Sequence, residues 1–168
     1  QQAEFPVAAH GGIAVQKRRG TLEKDARTIS EAYRLRTGEG KRLLTKESEA
    51  AAYALSRMPA TVEAAKAALT EALAATGLAP KTLLDCGAGT GAVTFAADAL
   101  LGLERATCLE REAAMRAVGR QLMCEAGGVQ AEWAACDLTA KEPLPRAGLV
   151  CEGYMLGELE ASMRLHVA

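Results

Sequence analysis

Aromatic side chains are scarce in this sequence: one Trp, three Tyr and two Phe among 168 residues. A core must therefore be built from aliphatic side chains on the frequent alanines. Long apolar runs are lacking too, and nothing approaches the ~18 continuous apolar residues of a membrane-spanning helix. Residues 1–20 show neither the apolar stretch nor the small-residue cleavage site of a secretory leader, and the chain opens on Gln rather than Met. The two histidines, His10 and His166, lie near the chain ends and are poor candidates for acid–base chemistry. Cys86, Cys108, Cys124, Cys136 and Cys151 contain no CxxC pair and match no zinc spacing. They read as reduced, half-buried thiols of a cytosolic protein, and no metal site is expected. Cys86, Cys136 and Cys151 do fall near the predicted carboxyl ends of strands.

Net charge is also nearly absent, at −1, but it is unevenly spread. Residues 1–57 hold 11 Lys and Arg against 7 Asp and Glu, whereas residues 58–168 hold 9 against 14. Arg18, Arg19, Arg34, Arg36, Lys41, Arg42 and Lys46 crowd the first part. Such a basic arm suits a nucleic-acid foothold or an ordinary solvated helical face. No stacking aromatics interleave these charges to choose between the two.

The chain divides into an N-terminal arm and helical segment, 1–78, and an alternating strand–helix region, 79–168. Residues 1–20 read as a loop and Thr21–Leu35 as helical. Gly38 and Gly40 break the pattern. Thr45 is the expected N-cap of a helix over Ala50–Met58, although Ser48 stands where a capping box places Glu or Gln. Ala51, Ala54, Leu55 and Met58 share one face of that helix, and Pro59 is expected to end it. A second helix, Thr61–Thr76, keeps its apolar residues at helical spacing, with Gly77 as C′ glycine. Beyond Pro80, strands are expected at Lys81–Asp85, Arg105–Leu109, Gln130–Ala135 and Leu149–Glu152. Helices are expected at Ala92–Leu101 and Glu112–Glu125, and another beginning near Leu156. This alternation predicts an α/β fold, a Rossmann-like parallel sheet with right-handed crossovers.

The segment Leu83-Leu84-Asp85-Cys86-Gly87-Ala88-Gly89-Thr90-Gly91 follows a strand and opens a helix, the context that gives a glycine pattern meaning. Glycines let the backbone turn sharply and approach a ligand closely. Gly87, Gly89 and Ala92 also satisfy a dinucleotide fingerprint, so spacing alone leaves two ligand classes open. The acids favour S-adenosylmethionine. Asp85, two residues before the first glycine, suits the ammonium of a methionine moiety and would repel a pyrophosphate. Glu110 at the end of the second strand suits ribose hydroxyls, and Asp137 after the third suits an adenine amino group. The expected cofactor shell is Asp85, Gly87, Ala88, Gly89, Gly91, Glu110, Arg111, Asp137, Leu138 and Glu152.

Leu83–Gly91, the Leu109-Glu110-Arg111 step with Met115, and the run Leu149-Val150-Cys151-Glu152-Gly153-Tyr154-Met155-Leu156-Gly157-Glu158-Leu159 resemble class I methyltransferases. With Ala52-Tyr53-Ala54-Leu55-Ser56-Arg57-Met58-Pro59-Ala60-Thr61, they are similar more narrowly to the methyltransferase-like proteins of the mitochondrial small ribosomal subunit and their bacterial relatives. The likeness spans roughly residues 30–160.

It implies an S-adenosylmethionine site and a role in small-subunit assembly or rRNA methylation. A bacterial member would be cytoplasmic and a eukaryotic one would sit in the mitochondrial matrix. A non-catalytic RNA-binding assembly factor, or a small-molecule or protein methyltransferase, would fit the same motifs. A dinucleotide oxidoreductase fits them least. The iron–sulfur cysteine cluster of some members would lie beyond this chain and is not transferred to these five cysteines. Gly148 replaces the acid that often opens the fourth strand.

Glu152 and Tyr154 lie near the expected methyl position, but no catalytic residue stands out. The aromatic Pro-Pro clamp of adenine and cytosine amino-methyltransferases is replaced by Cys151-Glu152-Gly153-Tyr154. Strand order 3-2-1-4 would leave the fourth strand's outer edge, with Leu149 and Val150, for a further segment or partner chain.

Overall fold

The computed structural model describes residues 46–140 and 143–155. The expected arm, the Thr21–Leu35 helix, Thr45, most of the basic cluster, both histidines and the helix near Leu156 lie outside them.

A single long helix, α1 (Glu47–Thr76), precedes the sheet. The helix does not end at Pro59, which lies inside it. An interior proline removes an N–H and crowds the preceding turn, but the apolar stripe runs straight across it. Ala54, Met58, Val62 and Leu69 are all buried in one core cluster, so tertiary burial outweighs the local break. The freed acceptor belongs to Leu55, which is 38% exposed rather than on the buried face expected of it. The helix start also differs from expectation. Lys46 is the N-cap, and its N–H donates to Glu49 Oε2 at 3.1 Å, half of a capping box that begins one residue after Thr45. Gly77 closes the helix in the left-handed region, its N–H donating to Leu73 O at 2.8 Å.

The sheet alternates with helices: β1 (Thr82–Cys86), α2 (Ala92–Leu101), β2 (Arg105–Leu109), α3 (Ala113–Ala126), β3 (Ala131–Ala134), a 3₁₀ turn (Leu138–Ala140) and β4 (Leu149–Glu152). All pairings are parallel and the order is β3-β2-β1-β4, as the strand–helix alternation predicts. β1 runs one residue past the expected Asp85, because Cys86 pairs with Leu109 on one side and Glu152 on the other. Gly148 sits where a side chain would press on Pro80 Cβ at 3.2 Å, and its N–H donates to Thr82 Oγ1 at 2.8 Å. An acid at this position would have to displace Pro80.

The three helices share a core over one sheet face. Met58, Val62 and Leu69 of α1 pack with Leu83, Ala96, Ala106 and Met123. On the opposite face Leu84, Cys86 and Leu109 cluster with Cys136, Leu138 and Ala147. Among the described residues β4 pairs only with β1, and Val150 on it is 58% exposed. No described helix is long and apolar enough to cross a membrane.

Candidate cofactor-binding site

The loop between β1 and α2 lies at the carboxyl ends of the strands, beside the β1–β4 junction where strand order reverses. That switch point is where open α/β sheets hold ligands. Gly87, at φ +70, turns the chain out of β1, and a Cβ there would lie 2.8 Å from Met155 Cβ. Glycine is therefore required twice over, by backbone conformation and by the approach of the chain leaving β4. Gly91, at φ +90, precedes α2, with the edge of the Trp133 ring 3.2 Å from where its Cβ would be.

The loop folds back onto the end of β2. Gly87 and Ala88 both donate their N–H groups to Leu109 O, at 2.9 and 3.0 Å. Gly89 N–H donates to Glu110 Oε2 at 3.0 Å, and Glu112 N–H to Glu110 Oε1 at 2.7 Å. The Glu110 carboxylate is thus held by two backbone amides against the middle of the glycine loop. Arg116 Nη1 donates to the carbonyls of Glu110 and Arg111, fixing the turn that carries it.

Asp85 lies beneath the loop at 0% exposure. Its Oδ2 accepts from Thr94 N–H at 3.2 Å and Thr94 Oγ1 at 2.7 Å, tying β1 to the first turn of α2. Because that hydroxyl proton goes to Asp85, Cys108 Sγ, 3.3 Å from Thr94 Oγ1, is the donor to it. Asp85 Oδ1 is buried without a hydrogen-bond partner. Burial, opposed by the Thr94 hydrogen bonds and assisted by Glu110, raises the Asp85 carboxyl to about 6.

The remaining predicted residues surround this centre. Asp137 is exposed and its Oδ1 accepts from both Thr139 N–H (3.0 Å) and Thr139 Oγ1 (2.6 Å), which hold its carboxyl below the usual range. Leu138 packs on the Leu84–Cys86–Leu109 cluster. Arg111 pairs with Glu112 at 3.3 Å. Ala88 is buried, and Glu152 is half-buried opposite Cys86 in the β1–β4 register.

The family comparison matches this region together with its helical lead-in. The model described as mitochondrial small ribosomal subunit Rsm22 matches residues 47–168. The chain belongs to the Rsm22 family. Solved structures give the fold. A candidate S-adenosyl-L-methionine-dependent methyltransferase from Methanococcus maripaludis superposes with TM-score 0.58 at 15% identity, covering 77% of this chain and 59% of that one. The plantazolicin methyltransferase BpumL, bound to a triazolic desmethylPZN analogue and SAH, gives TM-score 0.55 at 12% identity, with 89% and 55% covered. The Rsm22-family chain thus spans little more than half the length of these structures. Curated proteins give no significant match.

Within this Rsm22-family chain, the structure brings together Asp85, the three glycines, Ala88 and Glu110. Asp137, Leu138 and Arg111 stand on the neighbouring strand ends. Three contributors were not in the expected cofactor shell. Thr90, buried in the loop, has its hydroxyl 3.4 Å from Met58 Sδ, so α1 anchors the loop from below. Met155 closes on Gly87, and Trp133 fills the gap between Gly91 and Gly119. A glycine inside a helical run, as at Gly119, is the sequence signal for such a bulky neighbour.

The thiols of Cys86, Cys108 and Cys151 are quiescent. Burial, with added repulsion from Asp85, pushes Cys86 and Cys151 to about 11 and Cys108 to about 12. None has the thiolate character that reactivity requires. Among the described residues no group of three or more His, Cys, Asp or Glu is arranged to hold a metal ion.

Proposed function

We propose that this chain is the S-adenosylmethionine-binding part of a methyltransferase-like protein that acts in small ribosomal subunit assembly or rRNA methylation. One observation carries the cofactor reading: the glycine loop is flanked by two carboxylates, and its amides are already engaged. Gly87 and Ala88 donate to Leu109 O of β2, Gly89 to the Glu110 carboxylate and Thr94 N–H to Asp85. A pyrophosphate needs free amides and a positive potential at a helix start. This loop instead offers a negative potential and a buried, unpartnered Asp85 Oδ1, which fits a cationic amino-acid moiety.

Glu110 would accept the ribose hydroxyls with its remaining lone pairs, since a carboxylate has about four acceptor sites. Asp137 would take the adenine amino group, and Leu138 and Ala88 would contact the ring. Asp85, buried beneath the loop, would act on the ammonium through its charge or a bridging water. When bound, the cofactor supplies an electrophilic methyl on a sulfonium. What this chain's residues contribute is alignment, which can carry much of the rate of such a transfer.

The ribosomal role rests on the Rsm22 family membership and on the basic segment within residues 1–57. The same membership supports a mitochondrial matrix setting, or the cytoplasm for a bacterial member. The outer edge of β4, unpaired among the described residues, is the place for a further sheet segment or partner chain.

Calorimetric titration with S-adenosylmethionine and S-adenosylhomocysteine, with NADH as control, tests the cofactor reading. Micromolar binding lost in an Asp85→Ala, Glu110→Ala double variant is expected. Binding of NADH alone would overturn it. Methyl incorporation into small-subunit rRNA would then distinguish an enzyme from an assembly factor.

A further inference from the structure

Each glycine of the cofactor loop leaves a bare patch where a side chain would be, and methionines fill those patches. Met155, on the chain leaving β4, packs its Cβ and Cγ 2.8 and 2.9 Å from where a Cβ on Gly87 would lie. Met115 of α3 brings its Cε to 3.5 Å from the same point on Gly89. Met123 Cε stands 3.5 Å from that point on Gly91, beside the Trp133 ring. Met58 of α1 accepts the Thr90 hydroxyl at its Sδ, at 3.4 Å. The sequence holds five methionines, and the four at described positions all reach this one loop. They come from three separate parts of the chain, so only the folded molecule assembles them.

Unbranched thioethers suit the task because they mould to irregular gaps. They are also oxidisable: a hydroperoxide turns a thioether into a sulfoxide, whose polar S–O group no longer fits an apolar contact. Access decides which one reacts. Met58, Met115 and Met123 are 1%, 6% and 4% exposed, whereas Met155 is half-buried. Met155 also lies closer to the loop than either methionine of α3 and has the least slack. The backbone just before it is strained. Tyr154, at φ +71, is the only non-glycine residue with positive φ among those described, a conformation that lasts only while its surroundings impose it. Those surroundings are the Met155 contact on one side and, on the other, Gly153, where a Cβ would lie 2.6 Å from Val93 Cγ2. Loss of the Met155 contact therefore lets the segment relax away from Gly87.

We propose that Met155 is an oxidation-sensitive latch on the cofactor loop: its sulfoxidation by a hydroperoxide frees Gly87 and lowers cofactor affinity. In that step the Met155 Sδ lone pair takes the terminal oxygen of the hydroperoxide. The S–O bond forms as the O–O bond breaks, and the hydroperoxide's own proton passes to the departing oxygen, which leaves as water or an alcohol. The thioether is oxidised by two electrons and the hydroperoxide reduced by two. The inference rests on the cofactor reading above and adds a means of regulating that site.

For the test, the full chain carries Met163→Leu, which removes the methionine outside the described residues. It is treated with hydrogen peroxide and then with dithiothreitol, which reverses thiol oxidation to disulfide or sulfenic acid and leaves the sulfoxide. Peptide mass spectrometry should find the added oxygen on Met155 before Met58, Met115 or Met123. Calorimetry should show S-adenosylhomocysteine affinity lowered roughly 10-fold, the scale of one lost packing contact, and restored by methionine sulfoxide reductase. Amide hydrogen exchange at Gly87 and Ala88, whose N–H groups donate to Leu109 O, should quicken in parallel. A further Met155→Leu substitution keeps an apolar contact that peroxide does not touch, so affinity and slow exchange should both survive the same treatment.

Oxidation of the buried methionines as fast as Met155, or unchanged exchange or affinity once Met155 is oxidised, would overturn the proposal. Equal losses in the Met155→Leu chain would overturn it as well, by assigning the effect to another side chain. Failure of the untreated chain to bind any cofactor would instead sink the cofactor reading, and exchange at Gly87 and Ala88 would still decide whether Met155 latches the loop.

Discussion

Among the described glycines, Gly119, midway along α3, leaves the least room for a side chain, because the single tryptophan lies against it. A Cβ on Gly119 would stand 2.3 Å from Trp133 Cη2, 2.8 Å from Cζ2 and 3.0 Å from Cζ3. In an exposed helix interior, Gly→Ala stabilises by about 1 kcal/mol. Here the new methyl must displace a rigid ring whose Cη2–Cζ2 edge is wedged between the two glycines, Cη2 standing 3.2 Å from where a Cβ on Gly91 would be. Overpacking of that kind costs roughly 1–3 kcal/mol beyond what helix propensity returns. Gly119→Ala should therefore destabilise the chain by about 1–3 kcal/mol, a fall in Tm of about 2–12 °C. Because the sequence has one Trp, its fluorescence reports both the melt and the ring's surroundings. The Trp133 Nε1 atom is buried without a hydrogen-bond partner, so displacement should let water reach it and shift emission to the red. In a Trp133→Leu background the same alanine should become neutral or stabilising. A Gly119→Ala variant that melts at or above wild type, with unchanged emission, would refute the reasoning.

Three further outcomes follow from the same geometry. Asp85 has its carboxyl raised from 3.8 to about 6, so the folded chain keeps a proton that the unfolded chain has lost. Stability should therefore fall as pH rises from about 4 through about 6, by on the order of 3 kcal/mol. Asp85→Asn should flatten that stretch in urea titrations, and an unchanged slope would rule out Asp85 as its source. Pro59→Ala restores an N–H to the Leu55 carbonyl inside α1 and should add up to about 3 kcal/mol of stability with more helical dichroism; a neutral result would mean the turn is already fully accommodated. Gly87→Ala, strained at φ +70 and driven into Met155, should weaken S-adenosylhomocysteine at least about 10-fold by calorimetry. Gly102→Ala is its control, with φ +56 but open space around it, and should lose stability without losing affinity.

The sheet was legible in the sequence because each strand is bounded by its own punctuation. Pro80, the glycines after Cys86, Gly102 and Gly127 stop or start elements locally. The helices over Ala92–Leu101 and Ala113–Ala126 accordingly form within a residue of their expected bounds. Pro59 was misread because punctuation is a local signal and burial is not. Met58 and Val62, either side of the proline, are both 1% exposed, and joining them in one stripe outweighs one lost hydrogen bond. Within the candidate site, the residue types were visible but their connections were not. Nothing in the spacing of Glu110 says that its carboxylate braces Gly89 N–H, nor that Asp85 spends one oxygen on Thr94. Such bonds depend on how far β2 and α2 stand from the loop, which only the folded chain defines. Thr90 and Met58, 32 residues apart, are linked for the same reason.

These connections bear on how one glycine spacing can serve two ligand classes. A Gly-x-Gly turn at the end of β1 fixes where the backbone goes, and in that respect dinucleotide and S-adenosylmethionine sites are alike. Discrimination then falls to electrostatics. A loop with free amides and no acid beneath it presents the positive end of α2 to whatever enters. In this chain Glu110 and Asp85 close on that end from above and below, one engaged by two backbone amides and the other by Thr94. Bringing a pyrophosphate in would place like charges within a few ångströms in a partly buried setting, at a cost of several kcal/mol. A cationic ligand would gain from the same arrangement, and most at a pH where Asp85 is ionised. The affinity for S-adenosylmethionine should therefore climb between about pH 5 and pH 7 in wild type and stay level in Asp85→Asn. That difference separates an electrostatic role for Asp85 from a purely structural one, because losing only the bonds to Thr94 would weaken binding equally at every pH.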